Sequence, residues 1–166
     1  NLSGAEIELI GVDDKEYILK GITDKLRRKY DYIILDCPPS LNMLTINALT
    51  AATSVLVPIQ CEYYALEGLS QLIHTIDLVK DRLNKKLAME GVVFTMYDAR
   101  TNLSLQVVEN VKDNLQQNIY KTIIPRNVRL AEAPSYGQPI NIYDSRSAGA
   151  EAYRLLAEEV INREDK

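Results

Sequence analysis

Residues 30–40 read Y-D-Y-I-I-L-D-C-P-P-S, an apolar run that ends in an aspartate and a pair of prolines. The unbroken apolar residues 32–35 predict a strand that is covered on both faces, as in a parallel sheet. Pro38 and Pro39 end the strand, because neither residue has an N–H to donate to a β ladder. The strand therefore carries Asp36 to its carboxyl end, where open α/β sheets bind their ligands.

Asp36 at this position has two interpretations, and the pattern alone leaves both open. Its carboxylate could hold Mg²⁺ through water and fix the ion against phosphate oxygens, while the loop that follows responds to the γ-phosphate. It could equally cap the turn that follows the strand.

Predicted strands alternate with predicted helices along the chain, which indicates crossover connections and a mostly parallel sheet. The fold class is therefore α/β, with a sheet between helices on both faces in three layers, and residues 1–166 are expected to form a single domain. The predicted strands are residues 32–36, 54–59, 87–96 and 120–124, and the predicted helices are residues 13–29, 44–52, 62–83, 103–117 and 147–163.

Composition excludes several classes of protein. A net charge of -4 argues against a broadly basic nucleic-acid coat, and no run of about 18 uncharged apolar residues predicts a membrane span, so a cytoplasmic protein is expected. Cys37 and Cys61 lack metal-site spacing and are expected to be free, buried thiols. His74 is the single histidine, which excludes histidine triads and multi-histidine metal sites.

The ends of parallel strands meet at one edge of a sheet, so Asp36, Cys61, Asp98 and Pro125 are expected at a common edge. The carboxylate of Asp98 could accept a hydrogen bond from an adenine amino group, and the ring of Pro125 could pack on the face of the base. Both residues are also common in turns, which is the competing interpretation.

Arginines follow the same strands. Arg100, Arg126 and Arg129 lie in the predicted loops, with several lysines on nearby segments, and such a cluster could contact DNA phosphates without reading sequence. Interspersed acidic residues favour the alternative, an ordinary solvated surface.

A phosphate cradle is missing from the 166 residues. They contain no G-x-x-x-x-G-K-[ST] loop, and the seven glycines do not cluster. Pro38 and Pro39 also remove backbone donors from the loop after Asp36. A nucleotide enzyme with this sequence would therefore lack its first strand–loop–helix unit.

Six sequence segments, which together span nearly the whole chain, resemble those of a known family and occur in the same order. They strongly resemble the ParA/Soj chromosome and plasmid partition ATPases, which belong to the ParA/MinD group of P-loop proteins with a deviant Walker A loop. The segments are Y-D-Y-I-I-L-D-C-P-P-S-L, N-A-L-T-A-A, P-I-Q-C-E-Y-Y-A-L-E-G-L, T-M-Y-D-A-R-T-N-L, I-P-R-N-V-R-L-A-E-A-P-S-Y-G-Q-P-I and Y-D-S-R-S-A-G-A-E-A-Y.

The resemblance implies a magnesium-dependent ATPase that dimerises around ATP, binds DNA non-specifically and is stimulated by a ParB/Spo0J-type partner. Such a protein would be cytoplasmic and associated with the nucleoid, and it would not bind a membrane. The residues that match the family's positions are Asp36 as the catalytic Walker B and magnesium aspartate, Cys37, Pro38, Pro39 and Ser40 as the switch II loop, Asp98, Pro125, Arg126 and Asn127 on the adenine side, Arg100 and Arg129 as DNA contacts, and residues 62–68 as the dimer-facing segment.

The sequence departs from the family in lacking its glycine-rich K-G-G-x-G-K-[ST] loop and its switch I aspartate. By motif spacing, about 80 to 100 residues are absent, equivalent to two or three strand–helix units, so a catalytically inactive C-terminal fragment is expected, with no tightly bound nucleotide of its own. The main alternative is a nucleotide-independent DNA-binding or dimerisation module. A MinD-like membrane cycler is disfavoured by the acidic residues of the C-terminal helix.

Overall fold

The computed structural model describes residues 4–38, 40, 42–115 and 119–164, which form an α/β structure with a parallel three-stranded sheet in the order β1-β2-β3. Its strands are β1 (Ser54–Gln60), β2 (Ala88–Tyr97) and β3 (Ile119–Pro125). Its α-helices are α1 (Ala5–Leu9), α2 (Ile18–Leu26), α3 (Met43–Ala51), α4 (Ala65–Arg82), α5 (Asn102–Asn114), α6 (Val128–Glu132), α7 (Ile140–Tyr143) and α8 (Ala148–Glu164), with 3₁₀ turns at Lys15–Tyr17 and Ala133–Tyr136.

The direction of the strands follows from their hydrogen bonds. The Ala88 N–H donates to the Thr53 carbonyl over 3.1 Å near the start of β1, and the Cys61 N–H donates to the Thr95 carbonyl over 3.0 Å just past its end. β2 and β3 are also parallel, with Tyr97 aligned with Pro125. The α/β fold with a parallel sheet is therefore confirmed.

The chain divides into two compact units. Unit 1 contains the described residues up to Val55 together with Ser70–Met89, and unit 2 contains Leu56–Leu69 and the described residues from Glu90 onward. Strands β1 and β2 and helix α4 each contribute residues to both units. The expectation that residues 1–166 form one domain stays a prediction.

The core of unit 2 lies between β2, β3 and α8. Its buried residues are Val93, Tyr120, Ile124 and Ala152, and the half-buried side chains packed against them are Leu56, Leu130, Leu156 and Val160. Burying such side chains is the main stabilising contribution, at about 1.5–3 kcal/mol for each large one. This packing fixes the strands whose carboxyl ends carry the candidate site.

Polar contacts also join α8 to β3. The Glu159 carboxylate accepts hydrogen bonds from the Lys121 and Thr122 N–H groups over 2.8 and 2.9 Å, and from the Thr122 hydroxyl over 2.8 Å. Arg163 donates to Glu159 and to the Ile119 carbonyl, both over 2.8 Å, and its guanidinium lies 3.8 Å from the centre of the Tyr120 ring. Backbone groups of β3 are thereby paired with α8.

Two asparagine side chains join separate segments of unit 1. Asn47 on α3 accepts from the Leu19 N–H over 3.1 Å and donates to the Lys15 carbonyl over 2.8 Å. Asn84 donates to the carbonyls of Leu49 and Ala52 over 3.0 and 2.8 Å, and so caps the end of α3. Each amide joins segments that are distant in the sequence. The 3₁₀ turn and α2 lie within the predicted helix over residues 13–29, and α3 begins one residue before the predicted helix over residues 44–52.

The predicted strand over residues 32–36 is wrong for this chain. This segment is not part of the described sheet, and the side chain of Ile34 is 88% exposed. An extended segment becomes a strand only when its N–H and C=O groups join the ladder of a neighbouring strand, and the described sheet consists of β1, β2 and β3. The apolar pattern indicates a preference for burial, but it cannot supply the neighbouring strand.

The two cysteine thiols differ in their exposure to solvent. Cys61 is buried as predicted, and its burial raises the pKa of the thiol to about 11. Cys37 is exposed, so the prediction that it is buried is wrong, because its segment does not enter the sheet. His74 lies exposed on α4, as expected for a surface residue. Within the described residues, no helix has both the length and the apolar character needed to cross a bilayer.

Candidate functional site

The carboxyl ends of the three strands meet within unit 2. The Cys61 N–H donates to β2, at Thr95, and the Arg126 N–H donates to the Tyr97 carbonyl over 2.8 Å. Because Tyr97 is aligned with Pro125, the loops that begin at Asp98 and Arg126 are neighbours. The structure therefore brings Cys61, Asp98 and Pro125 to one edge, as expected, and this edge is here named the carboxyl edge.

Asp98 forms a close contact with Arg100. One oxygen of the carboxylate, Oδ1, accepts from the Arg100 backbone N–H over 3.1 Å and from its Nε over 2.9 Å, and the other, Oδ2, accepts from Nη2 over 2.7 Å. The Arg100 hydrogen bonds and charge, with a further contribution from Arg126, hold the pKa of Asp98 well below its usual range. Asp98 is therefore an ionised acceptor at neutral pH.

Hydrogen bonds at the start of α5 fix the loop that holds this pair. The Ser104 hydroxyl accepts from the Asp98 N–H over 3.2 Å, and the Thr101 hydroxyl donates to the Asp98 carbonyl over 3.0 Å. Thr101 also caps α5 by accepting from the Ser104 N–H over 3.4 Å. The sequence T-N-L-S thus sets the helix start and the position of Asp98 together, as a threonine N-cap does.

Met96 lies just before this loop and has a φ of +54°. An unbranched side chain in the left-handed region is uncommon, and the parallel register of β2 and β3 is also irregular between Phe94 and Tyr97. Such a backbone costs on the order of 1 to 3 kcal/mol and is found most often at functional sites. No feature of the sequence predicted it.

The second loop of the carboxyl edge begins after β3. Asn127 caps α6, because its Oδ1 accepts from the Arg129 N–H over 3.0 Å. Arg129 pairs with Glu132 over 2.8 Å and with Asp144 over 3.4 Å, and its side chain remains 54% exposed. The loop that was expected to follow Pro125 therefore contains α6, which positions the arginine.

Arg126 and its partner, Glu62, complete the carboxyl edge. The Arg126 guanidinium lies 3.6 Å from the carboxylate of Glu62, which follows β1, and both side chains are more than half exposed. Sequence reasoning missed Glu62, Glu132 and Asp144 as partners of the arginines. The spacing of Arg129 and Glu132 is a signal that could have been found, since residues three apart on a helix are neighbours.

Asp36 and the predicted switch loop belong to unit 1. Asp36, Cys37, Pro38 and Ser40 are exposed, and Pro39 lies outside the described residues. Partial desolvation of its sulfur atom, followed by the charge of Asp36, raises the pKa of the exposed Cys37 thiol. The end of the loop is attached to α3, because the Thr45 hydroxyl donates to the Ser40 carbonyl over 2.6 Å. That Asp36 shares the carboxyl edge stays a prediction.

The fit of these residues to magnesium and to a nucleotide is partial. The described part of the chain contains no group of three or more carboxylate, thiol or imidazole side chains that could hold a metal ion. Asp36 alone offers one exposed carboxylate, which suits Mg²⁺ only where phosphate and water supply the other ligands. Asp98 and Pro125 offer an acceptor and an apolar ring, which suit the base of a nucleotide.

The chain is similar in sequence to chromosome-partitioning and sporulation proteins. The sporulation initiation inhibitor protein Soj of Bacillus subtilis (strain 168) is 60% identical over 159 residues, which cover 96% of this chain and 63% of that protein. The chromosome partitioning protein ParA of Myxococcus xanthus (strain DK1622) is 55% identical over 164 residues, covering 99% and 58%. The chain thus spans about three-fifths of the length of these relatives.

A solved structure also matches the chain over most of its length. Cobyrinic acid a,c-diamide synthase from Mycobacterium smegmatis, with bound ADP and magnesium, superposes with a TM-score of 0.83 and 36% sequence identity. The match covers 99% of this chain and 60% of that one.

A family model described as an AAA domain matches residues 1–89. With the parallel α/β sheet, this match places the chain in the P-loop class of proteins. The chain belongs to the ParA/Soj family of chromosome-partitioning ATPases within that class. The family expected from the sequence motifs is therefore confirmed.

Proposed function

We propose that this chain is the C-terminal portion of an ATPase that segregates chromosomes or plasmids by ATP-dependent dimerisation and non-specific DNA binding. The observation that carries the proposal is the carboxyl edge, where Asp98 and Pro125 lie beside arginines that follow the same strands. The ADP and magnesium bound to the related diamide synthase support a nucleotide as the ligand.

Each predicted residue has a role in this proposal. Asp98 accepts from the adenine amino group, Pro125 packs on the base, and Arg126 and Asn127 complete the adenine side. Asp36 holds magnesium through water, which would neutralise charge on the phosphates. The residues that follow it, Cys37, Pro38, Pro39 and Ser40, form the loop that responds to the γ-phosphate. The 166 residues alone are not expected to hydrolyse ATP, because they contain no glycine–lysine loop.

The proposed partners follow from the same family. They are a second copy of the protein, which would associate through residues 62–68 when ATP is bound, a ParB/Spo0J-type protein, and DNA of any sequence. The protein would then work on the nucleoid in the cytoplasm, away from the membrane. Arg100 and Arg129 are proposed to contact DNA, and their guanidinium groups are exposed at the carboxyl edge.

The DNA part of the proposal is tested by replacing both of these arginines. Each guanidinium carries a positive charge and five N–H donors, so each can contact phosphate. We expect Arg100→Gln combined with Arg129→Gln to weaken binding to a duplex of mixed sequence by about tenfold. We also expect the slope of log affinity against log salt to become shallower by about 0.9 for each lost contact. Fluorescence anisotropy over a series of salt concentrations measures both quantities.

Arg154→Gln is the matched control. Arg154 is an exposed arginine of the same unit, paired with Glu151 over 2.7 Å, and it has no proposed DNA contact. The substitution removes one positive charge, half of what the double variant removes, and its DNA affinity should change by less than about twofold. The DNA assignment fails if the double variant binds as tightly as the Arg154 variant, with an unchanged salt slope.

A further inference from the structure

One carboxylate joins the two ligand-binding functions proposed for the carboxyl edge. Asp98 is the proposed acceptor for the adenine amino group, and it also holds Arg100, a proposed DNA contact, through three hydrogen bonds of 2.7 to 3.1 Å. The proposed base site and the proposed DNA contact therefore share one carboxylate.

The acceptor capacity of Asp98 is nearly filled. An ionised carboxylate offers about four lone-pair directions, and Arg100 occupies three of them with its backbone N–H, Nε and Nη2. A donor from a base would have to approach the remaining direction, on Oδ2, beside a guanidinium that also presents N–H groups. The base amino group would share Oδ2 with the Arg100 Nη2, so the two donors compete for that oxygen.

Arg100 can be released without a change in the fold. The Asp98 side chain is 19% exposed and its backbone is fixed by Ser104, whereas the Arg100 side chain is 86% exposed. On release toward DNA, the guanidinium exchanges one anionic partner, the carboxylate, for another, the phosphate, so its charge stays paired. The release would alter one side chain and leave the start of α5 in place.

We propose that the Asp98–Arg100 pair is a latch that couples base binding to DNA binding: a base at Asp98 releases Arg100 toward phosphate, and phosphate at Arg100 frees Asp98 for the base. The inference rests on the proposed function of this edge. By linkage, each ligand tightens the binding of the other by the same factor. The competing explanation is that Asp98 only stabilises its turn, in which case breaking the ion pair leaves DNA binding unchanged.

Asp98→Asn separates the two explanations. Asparagine keeps an oxygen that can accept from the Arg100 backbone N–H, so the turn persists, while the charge that holds the guanidinium is lost. We expect this variant of the chain to bind a duplex of mixed sequence about fivefold more tightly than the unaltered chain at low salt. The salt slope should steepen by about 0.9, the value for one additional phosphate contact.

Two further variants identify the cause of the gain. Asp24→Asn makes the same change of charge in an exposed pair with Lys20 and Arg27, and it should alter DNA affinity by less than about twofold. Adding Arg100→Gln to Asp98→Asn should abolish the gain, so that the effect of losing Arg100 is larger when Asp98 is absent. Equal effects of Arg100→Gln in both backgrounds overturn the latch, as does a gain that survives in the double variant.

The base side is tested with adenosine, which presents the adenine amino group without phosphate charge. At about 10 mM, a concentration that populates sites of millimolar affinity, it should tighten DNA binding of the unaltered chain and shift the Arg100 Nε–Hε resonance, with no such gain in Asp98→Asn. Absence of either change overturns the coupling. Failure of the proposed function is distinct, because Arg100→Gln combined with Arg129→Gln would then leave DNA affinity unchanged, with or without Asp98.

Discussion

Replacing Glu159 by alanine is expected to lower the free energy of unfolding by about 3 kcal/mol. The substitution removes the acceptor for the Lys121 and Thr122 N–H groups and for the Thr122 hydroxyl, and it leaves Arg163 without its carboxylate partner. The Glu159 side chain is only 17% exposed, so water does not fully replace these bonds. Unsatisfied donors at such a site cost about 1–3 kcal/mol, and more when one of them is charged.

Urea unfolding followed by circular dichroism measures this loss. Glu158→Ala is the matched control, because it makes the same change at an exposed position on the same helix, and its effect should stay within about 0.5 kcal/mol. A loss in Glu159→Ala no larger than that of the control would contradict the role given to this carboxylate.

Glu159 should also make stability depend on pH. Burial opposes its ionisation, but the hydrogen bonds from Lys121, Thr122 and Arg163 outweigh burial and lower its pKa. A lowered pKa in the folded state means that the stabilisation is present above the ordinary glutamate pKa and is lost as pH falls through the folded value. The unaltered chain should therefore lose more stability on acidification than Glu159→Ala.

Gly149→Ala is expected to cost about 1–3 kcal/mol, because it overfills the contact between α8 and Leu130. A Cβ at this position would lie 2.5 Å from the Leu130 Cγ and 2.8 and 2.9 Å from its two Cδ atoms. The Cγ is the branch point of a side chain that packs against the core of unit 2, so the clash cannot be relieved by moving one terminal methyl. Thermal unfolding should show a lower Tm.

Gly68→Ala provides the control for this substitution. Gly68 lies in helix α4, and a Cβ there would meet no described atom within 4 Å. Alanine should stabilise this helix by about 0.5–1 kcal/mol, because it reduces the backbone entropy lost on folding. If Gly149→Ala is as stable as Gly68→Ala, then the close approach of α8 to Leu130 is not a constraint.

Most of the regular elements from β1 onward could be predicted, because their signals are local. Apolar runs ended by polar or proline residues gave β1, β2 and β3, and apolar residues at three-four spacing gave α4. The strand over residues 32–36 has an equally clear apolar run and does not form. A strand depends on a partner that its own sequence does not encode, whereas a helix satisfies its hydrogen bonds within itself.

The features of the candidate site also fall into those that the sequence predicts and those that it does not. The meeting of Cys61, Asp98 and Pro125 follows from parallel strands, so it could be predicted from the alternation of elements. The contact of Asp98 with Arg100 could not, because a pair two residues apart in a loop depends on the turn that joins them. The left-handed Met96 was also beyond prediction, since methionine has no preference for that conformation.

Calorimetric titration of the 166-residue chain with ATP and magnesium tests the central claim most directly. The claim is that this chain carries residues for the base, the magnesium ion and DNA, but holds no cradle for the phosphates. Without a glycine–lysine loop most of the binding energy for a triphosphate is absent, so the Kd should be weaker than about 1 mM. A Kd in the micromolar range would contradict the account, because it would require a phosphate site that the sequence does not predict.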